Sequence, residues 1–167
     1  MARQTPAADT PFESKKIQAV SERFAKDPAL PWMLAAGALV EAYKVLSIRI
    51  ESTLGSIDDL SMSRFEILGL LDRAAGGRLT VGALKRATYL HPPTLTYTLD
   101  WLEHRGLVQR QPSKEDRRTM LIQVTAAGRK VFARATRALG EIHYGLEGIS
   151  EIEAYEVARA LTHTSPA

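Results

Sequence analysis

Residues 92–128 read PPTLTYTLDWLEHRGLVQRQPSKEDRRTMLIQVTAAG, and the apolar period changes once within them. From Pro92 to Arg105 the period is helical: Leu95, Leu99 and Leu102 fall within about 60° of one another at about 100° per residue. Pro92-Pro93 suits an opening helical turn, where a missing N–H costs nothing, and Gly106 suits the left-handed position just past the end. After Gly106 the period falls to two. Leu107–Gln111 and Met120–Thr125 alternate as strands, joined by the polar loop Pro112–Thr119, and Thr125 is placed to cap a following helix. The stretch therefore predicts a helix, then a hairpin with a long charged tip.

Upstream, Thr80 caps a short helix through Val81, Leu84 and Ala87, and Gly76-Gly77 stops the helix before it, which carries Phe65, Leu68, Leu70 and Leu71. That helix has two candidate starts. Ser61 would flank a Leu60/Phe65 hydrophobic staple, whereas Ser63 would form a capping box with Glu66. Earlier still, Leu39, Tyr43, Leu46, Ile50 and Leu54 make one stripe on a helix from Pro31 to about Leu54. Such a helix is about twice the globular mean, so a dimer seam is expected along it. Downstream, one helix is expected from Ala126 to about Gly145, through Val131, Phe132, Ala135, Leu139 and Ile142. A last helix opens on a Ser150/Glu153 capping box and runs through Tyr155, Val157 and Leu161.

The expected class is mainly α with a small β-hairpin wing. A flexible arm (1–11) precedes the N-terminal helices of a dimerisation region (12–60, opening with a short helix over Phe12–Lys26). A winged helix-turn-helix (61–125) and the C-terminal helices of the dimerisation region (126–167) follow.

The 167 residues contain no cysteine, which excludes disulfides, thiolate nucleophiles and Cys-based zinc sites. No apolar run approaches the ~18–20 residues of a membrane span. The N-terminus lacks a secretion signal, so no membrane partner and a cytoplasmic location are expected. The net charge of +3 is unevenly spread. Residues 78–118 hold eight basic and four acidic side chains, leaving a slight negative excess elsewhere. Duplex DNA suits that layout: a helix enters the major groove while a basic loop reaches the backbone or minor groove.

Leu102-Glu103-His104-Arg105-Gly106-Leu107-Val108, Arg110, Asp116-Arg117-Arg118 and Val124-Thr125-Ala126-Ala127-Gly128 together resemble the MarR family of bacterial transcriptional regulators. The likeness reaches back to Leu60-Ser61 and covers roughly residues 60–130. It implies a homodimer reading a near-palindromic operator on double-stranded DNA, and a repressor released by a small aromatic or lipophilic effector. It also implies that Arg118 enters the minor groove with Asp116 orienting its guanidinium, while Arg117 meets phosphate.

On the helix after the turn, Thr94, Thr96 and Tyr97 are the candidates for base edges or phosphate. Lys85, Arg86 and Arg110 are candidates for phosphate by charge and location. The sequence departs from the family in carrying Tyr97 and Trp101 where Arg is frequent. Readout from this helix is therefore expected to lean on hydroxyls, thymine methyls and groove shape. Trp101 is expected to pack against a neighbouring element. Trp32, Tyr43 and Arg64 are the candidate effector contacts.

No nucleophile triad, phosphate loop or carboxylate pair emerges, so neither an enzyme nor a cofactor is expected. His143 and Glu147, spaced i, i+4 with His163 nearby, are too few for a metal site, and none is expected. The rival reading is a winged-helix protein-interaction module without DNA specificity, which would not need a basic wing.

Overall fold

A computed structural model describes residues 28–113 and 119–162. In chain order it contains α1 (Leu30–Gly55), α2 (Met62–Arg73), a 3-10 turn (Ala75–Gly77), β1 (Arg78–Thr80), α3 (Val81–Ala87), α4 (Pro92–His104), β2 (Val108–Pro112), β3 (Met120–Val124), α5 (Ala126–Glu141), a second 3-10 turn (His143–Gly145) and α6 (Glu151–Leu161). The mainly helical class with a small antiparallel wing is as expected. The arm and first short helix expected before residue 28 lie outside the described residues.

Four helices open on a side-chain oxygen. Ser61 caps α2, accepting from the Arg64 N–H at 3.4 Å, which settles the choice against Ser63. Glu66 is half-buried instead, and that burial pushes its carboxyl above the ordinary range. Thr80 caps α3 through the Ala83 N–H at 3.0 Å. Ser150 and Glu153 form a reciprocal capping box on α6, and these hydrogen bonds hold the Glu153 carboxyl below its ordinary value.

The end of α4 is a Schellman motif. The Gly106 N–H donates to the Glu103 carbonyl (2.8 Å) and the Leu107 N–H to the Leu102 carbonyl (2.9 Å), while Gly106 takes φ +66°. Leu102 and Leu107 are both buried, so the chain turns from helix into strand with its apolar face kept inward.

The sheet has one strand more than the expected hairpin: its order is β1-β3-β2, all antiparallel, with Leu79 opposite Ile122 and Arg110 also opposite Ile122. β1 is only three residues long, too short to show a period of two.

Thr125 joins the sheet to α5. Its hydroxyl lies 2.8 Å from the Gly106 carbonyl and 3.1 Å from that of Leu107, and accepts from the Gly128 N–H at 3.0 Å. Its own N–H donates to Leu107 at 3.0 Å. A Cβ at Gly128 would collide with that same Leu107 carbonyl oxygen. The Gly-Leu-Val and Thr-x-x-Gly segments are thus two sides of one backbone crossing.

Residues 48–144 form one compact unit, and the described residues 28–47 and 145–162 are grouped in a second. The division runs differently from the expected boundaries at 61 and 125. α5 belongs with the winged helix because the Phe132 ring lies 5.1 Å from that of Phe65, and Arg129 pairs with Asp72 at 2.5 Å. Among the described residues, every buried apolar side chain lies within 48–144, including Ile50, Leu54, Ile67, Leu84, Leu99 and Ile122. The second unit exposes Trp32, Met33, Val40 and Tyr43 on α1 and Ile152 and Tyr155 on α6. No helix among the described residues is long and apolar enough to cross a membrane.

α5 stops at Glu141, short of the expected Gly145, because His143 and Tyr144 both take left-handed φ (46° and 53°). The i, i+4 relation assumed for His143 and Glu147 therefore lapses. His163 lies outside the described residues, among which no group of three potential metal ligands occurs.

Candidate nucleic-acid interface

α3 and α4 are joined by the turn Thr88–His91, and α4 is the helix a groove would receive. Its inward face is settled by Leu95, Thr98, Leu99 and Leu102, all buried. The Thr98 hydroxyl donates to the Thr94 carbonyl at 2.8 Å and that of Thr88 to Leu84 at 3.0 Å, so both buried polar side chains are satisfied. Pro93, Thr94, Thr96 and Tyr97 are all exposed; Tyr97 is 65% accessible. The sequence-derived candidates on α4 are therefore all exposed, Tyr97 opposite the buried face and Thr94 and Thr96 flanking it on either side. Lys85 and Arg86 are exposed in the last turn of α3.

Arg110, on β2, has a different setting from the one expected of a phosphate ligand. Its guanidinium is held between Asp100 at 2.6 Å and Glu103 at 2.7 Å, and the Arg110 backbone N–H donates to the Glu103 carboxylate at 3.2 Å. The side chain is 28% exposed. This clamp ties the wing strand to the second half of α4 and neutralises carboxylates on its outer surface. Sequence reasoning missed the roles of Asp100 and Glu103; the available signal was two acids one turn apart on a helix leading directly into a basic strand.

Trp101 packs, as expected, against a neighbouring helix. The Arg64 guanidinium of α2 lies 3.8 Å from its ring centroid and that of Arg105 lies 5.1 Å away. The turn between α1 and α2 holds both arginines: the Asp59 carbonyl accepts from Arg64 at 2.6 Å and the Asp58 carbonyl from Arg105 at 3.3 Å. The Asp58 carboxylate pairs with Arg134 of α5. Asp116, Arg117 and Arg118 at the wing tip lie outside the described residues.

A profile of the MarR family matches residues 60–120, the segment from the start of α2 through α4 and β2 to the first residue of β3. The chain is similar over most of its length to Sco5413, a MarR family transcriptional regulator from Streptomyces coelicolor. The two share 28% identity and a TM-score of 0.72, over 80% of this chain and 92% of that one. Over residues 60–120 the chain carries the pattern of the MarR family. The same fold recurs in a mutant MarR from E. coli complexed with operator DNA, at 20% identity and a TM-score of 0.70, over 84% of this chain and all of that one. By sequence, the chain is similar to an organic hydroperoxide resistance transcriptional regulator of Bacillus subtilis, 34% identical over 86 residues, 52% of this chain and 58% of that protein. The alignments span about half the length of the curated relatives matched. These relatives are transcriptional regulators.

The expected effector contacts are separated in role. Trp32 and Tyr43 are 78% and 72% exposed on α1. Arg64 is engaged by Trp101 and by the Asp59 carbonyl.

Proposed function

We propose that this chain is a homodimeric, sequence-specific DNA-binding transcriptional regulator that reads a near-palindromic operator on double-stranded DNA. The observation that carries the reading is the exposed side of α4, which presents Thr94, Thr96 and Tyr97, together with the exposed cations Lys85 and Arg86 in the last turn of α3. A helix so presented suits base edges, and cations beside it suit phosphates. In this reading Arg117 meets phosphate and Arg118 enters the minor groove, oriented by Asp116. Arg110 serves by neutralising Asp100 and Glu103 rather than by reaching phosphate itself.

Dimerisation is supported by the apolar side chains that α1 and α6 leave in solvent. Tyr155, 75% exposed, and Ile152, 74% exposed, are costly to leave wet and gain from a partner copy. Repression relieved by a small aromatic or lipophilic effector completes the reading, with Trp32 and Tyr43 as the aromatic contacts. The sequence holds no cysteine, so no signal reaches it through a thiol.

Selection of bound duplexes from random DNA tests the proposal. Enriched half-sites should stand about one helical turn apart, and affinity for them should fall steeply as salt rises. Arg118→Ala should weaken binding by about 1–3 kcal/mol at fixed salt. No enrichment over random duplex would sink the proposal, and unchanged affinity in the variant would remove Arg118 from it.

A further inference from the structure

Major-groove readers identify guanine chiefly with Arg or Lys and adenine with Asn or Gln, each pairing two hydrogen-bonding atoms of the base. Residues 87–104, spanning the turn and the whole of α4, contain none of these four residue types. The next cations along the chain are committed elsewhere. Arg105 lies over Trp101 and donates to the Asp58 carbonyl, and Arg110 is held by Asp100 and Glu103. The two anionic acceptors of α4, Asp100 and Glu103, are both engaged by Arg110.

The leading end of α4 is equally poor in donors. Pro92 and Pro93 have no N–H, the Leu95 N–H donates to His91, and His91 supplies no side-chain cap. The Thr96 hydroxyl spends its proton on the Pro92 carbonyl at 3.1 Å. Besides the hydroxyls of Thr94 and Tyr97, what is outward is carbon: the pyrrolidine rings of Pro92 and Pro93, the methyl groups of Thr94 and Thr96, and the ring of Tyr97. The base feature in the major groove that this carbon complements is the C5-methyl of thymine.

Resting on the DNA-binding reading above, we propose that α4 selects its operator through thymine C5-methyl groups, packed against Thr94, Thr96 and Tyr97, and not through a cation on guanine. Thr94 and Thr96 are specificity-determining residues by their methyl groups, so valine replaces them and serine does not.

The test uses the intact chain and the duplex recovered by site selection. One probe carries uracil for thymine in both half-sites, which removes the C5-methyl from the major groove. Another carries 7-deazaguanine for guanine, which removes N7. Each methyl withdrawn from water is worth about fourfold in affinity, so replacing one contacted thymine per half-site should weaken binding on the order of fifteenfold. The 7-deazaguanine duplex should bind within about twofold of the parent. Thr94→Ser/Thr96→Ser should at least halve the preference for thymine over uracil, and Thr94→Val/Thr96→Val should keep it. These side chains are exposed, so the variants should melt with the parent.

A uracil duplex bound as tightly as the parent overturns the proposal while leaving DNA binding intact. A 7-deazaguanine duplex bound markedly more weakly than the parent overturns it too. Failure to enrich any duplex overturns the DNA-binding reading, and this one with it.

Discussion

Gly128→Ala should destabilise the protein by about 2–4 kcal/mol and lower its melting temperature by about 8 °C or more. The added methyl has nowhere to go, because the atom it meets is the backbone oxygen of Leu107, which no rotamer change can move. That oxygen accepts from the Thr125 N–H at 3.0 Å, and the Thr125 hydroxyl in turn caps α5 at the Gly128 N–H. Pushing the crossing apart therefore strips a buried carbonyl of its donor and uncaps a helix in one step. Gly140, in the exposed last turn of the same helix, is the internal control: a Cβ there meets nothing within 4 Å. Gly140→Ala should leave stability unchanged or raise it by up to about 1 kcal/mol through helix propensity. Thermal melts of both variants check the argument, which does not survive if Gly128→Ala melts together with Gly140→Ala.

This crossing also marks how far the sequence could be read. Gly106 as a helix terminator and Thr125 as a cap are local facts, visible in residue type and position, and both appear in the structure as expected. That Gly128 is small because Leu107 passes over it is a tertiary fact, hidden from any local rule. β1 escaped notice for a related reason: three residues carry no period, and the strand exists because β3, some 40 residues later, supplies its hydrogen-bonding edge. α5 was expected to run too far because Ile142 keeps the apolar rhythm, while the left-handed turn at His143-Tyr144 uses residue types that do not announce one. The open face of α4 was legible, since Leu95, Leu99 and Leu102 fix the opposite side. The engagement of Arg110 was not, because it joins a helix to a strand across the turn at Gly106, and charge alone suggested a free cation.

Arg110→Ala should cut affinity for the selected operator ten- to hundredfold, about 1.4–2.8 kcal/mol, while the fold stays nearly as stable as the parent. Its ion pairs are partly exposed, and such pairs contribute at most about 1 kcal/mol each to stability. Their value lies in what they cancel. Without the guanidinium, Asp100 and Glu103 stand uncompensated on the helix proposed to face phosphates, and like charges brought together across an interface cost more than an exposed ion pair gains. Two accounts of the same loss can be separated. If Arg110 itself grips a phosphate, removing it should reduce the steepness of the salt dependence, and neutralising the acids should bring little back. If it screens the two carboxylates, the triple variant Arg110→Ala/Asp100→Asn/Glu103→Gln should recover most of the lost affinity, because no negative charge then remains on α4 to repel the duplex. We expect the recovery. Persistent weakness in the triple variant, with a melting temperature close to the parent's, would return Arg110 to the phosphate contacts and leave the clamp as a secondary consequence of its position.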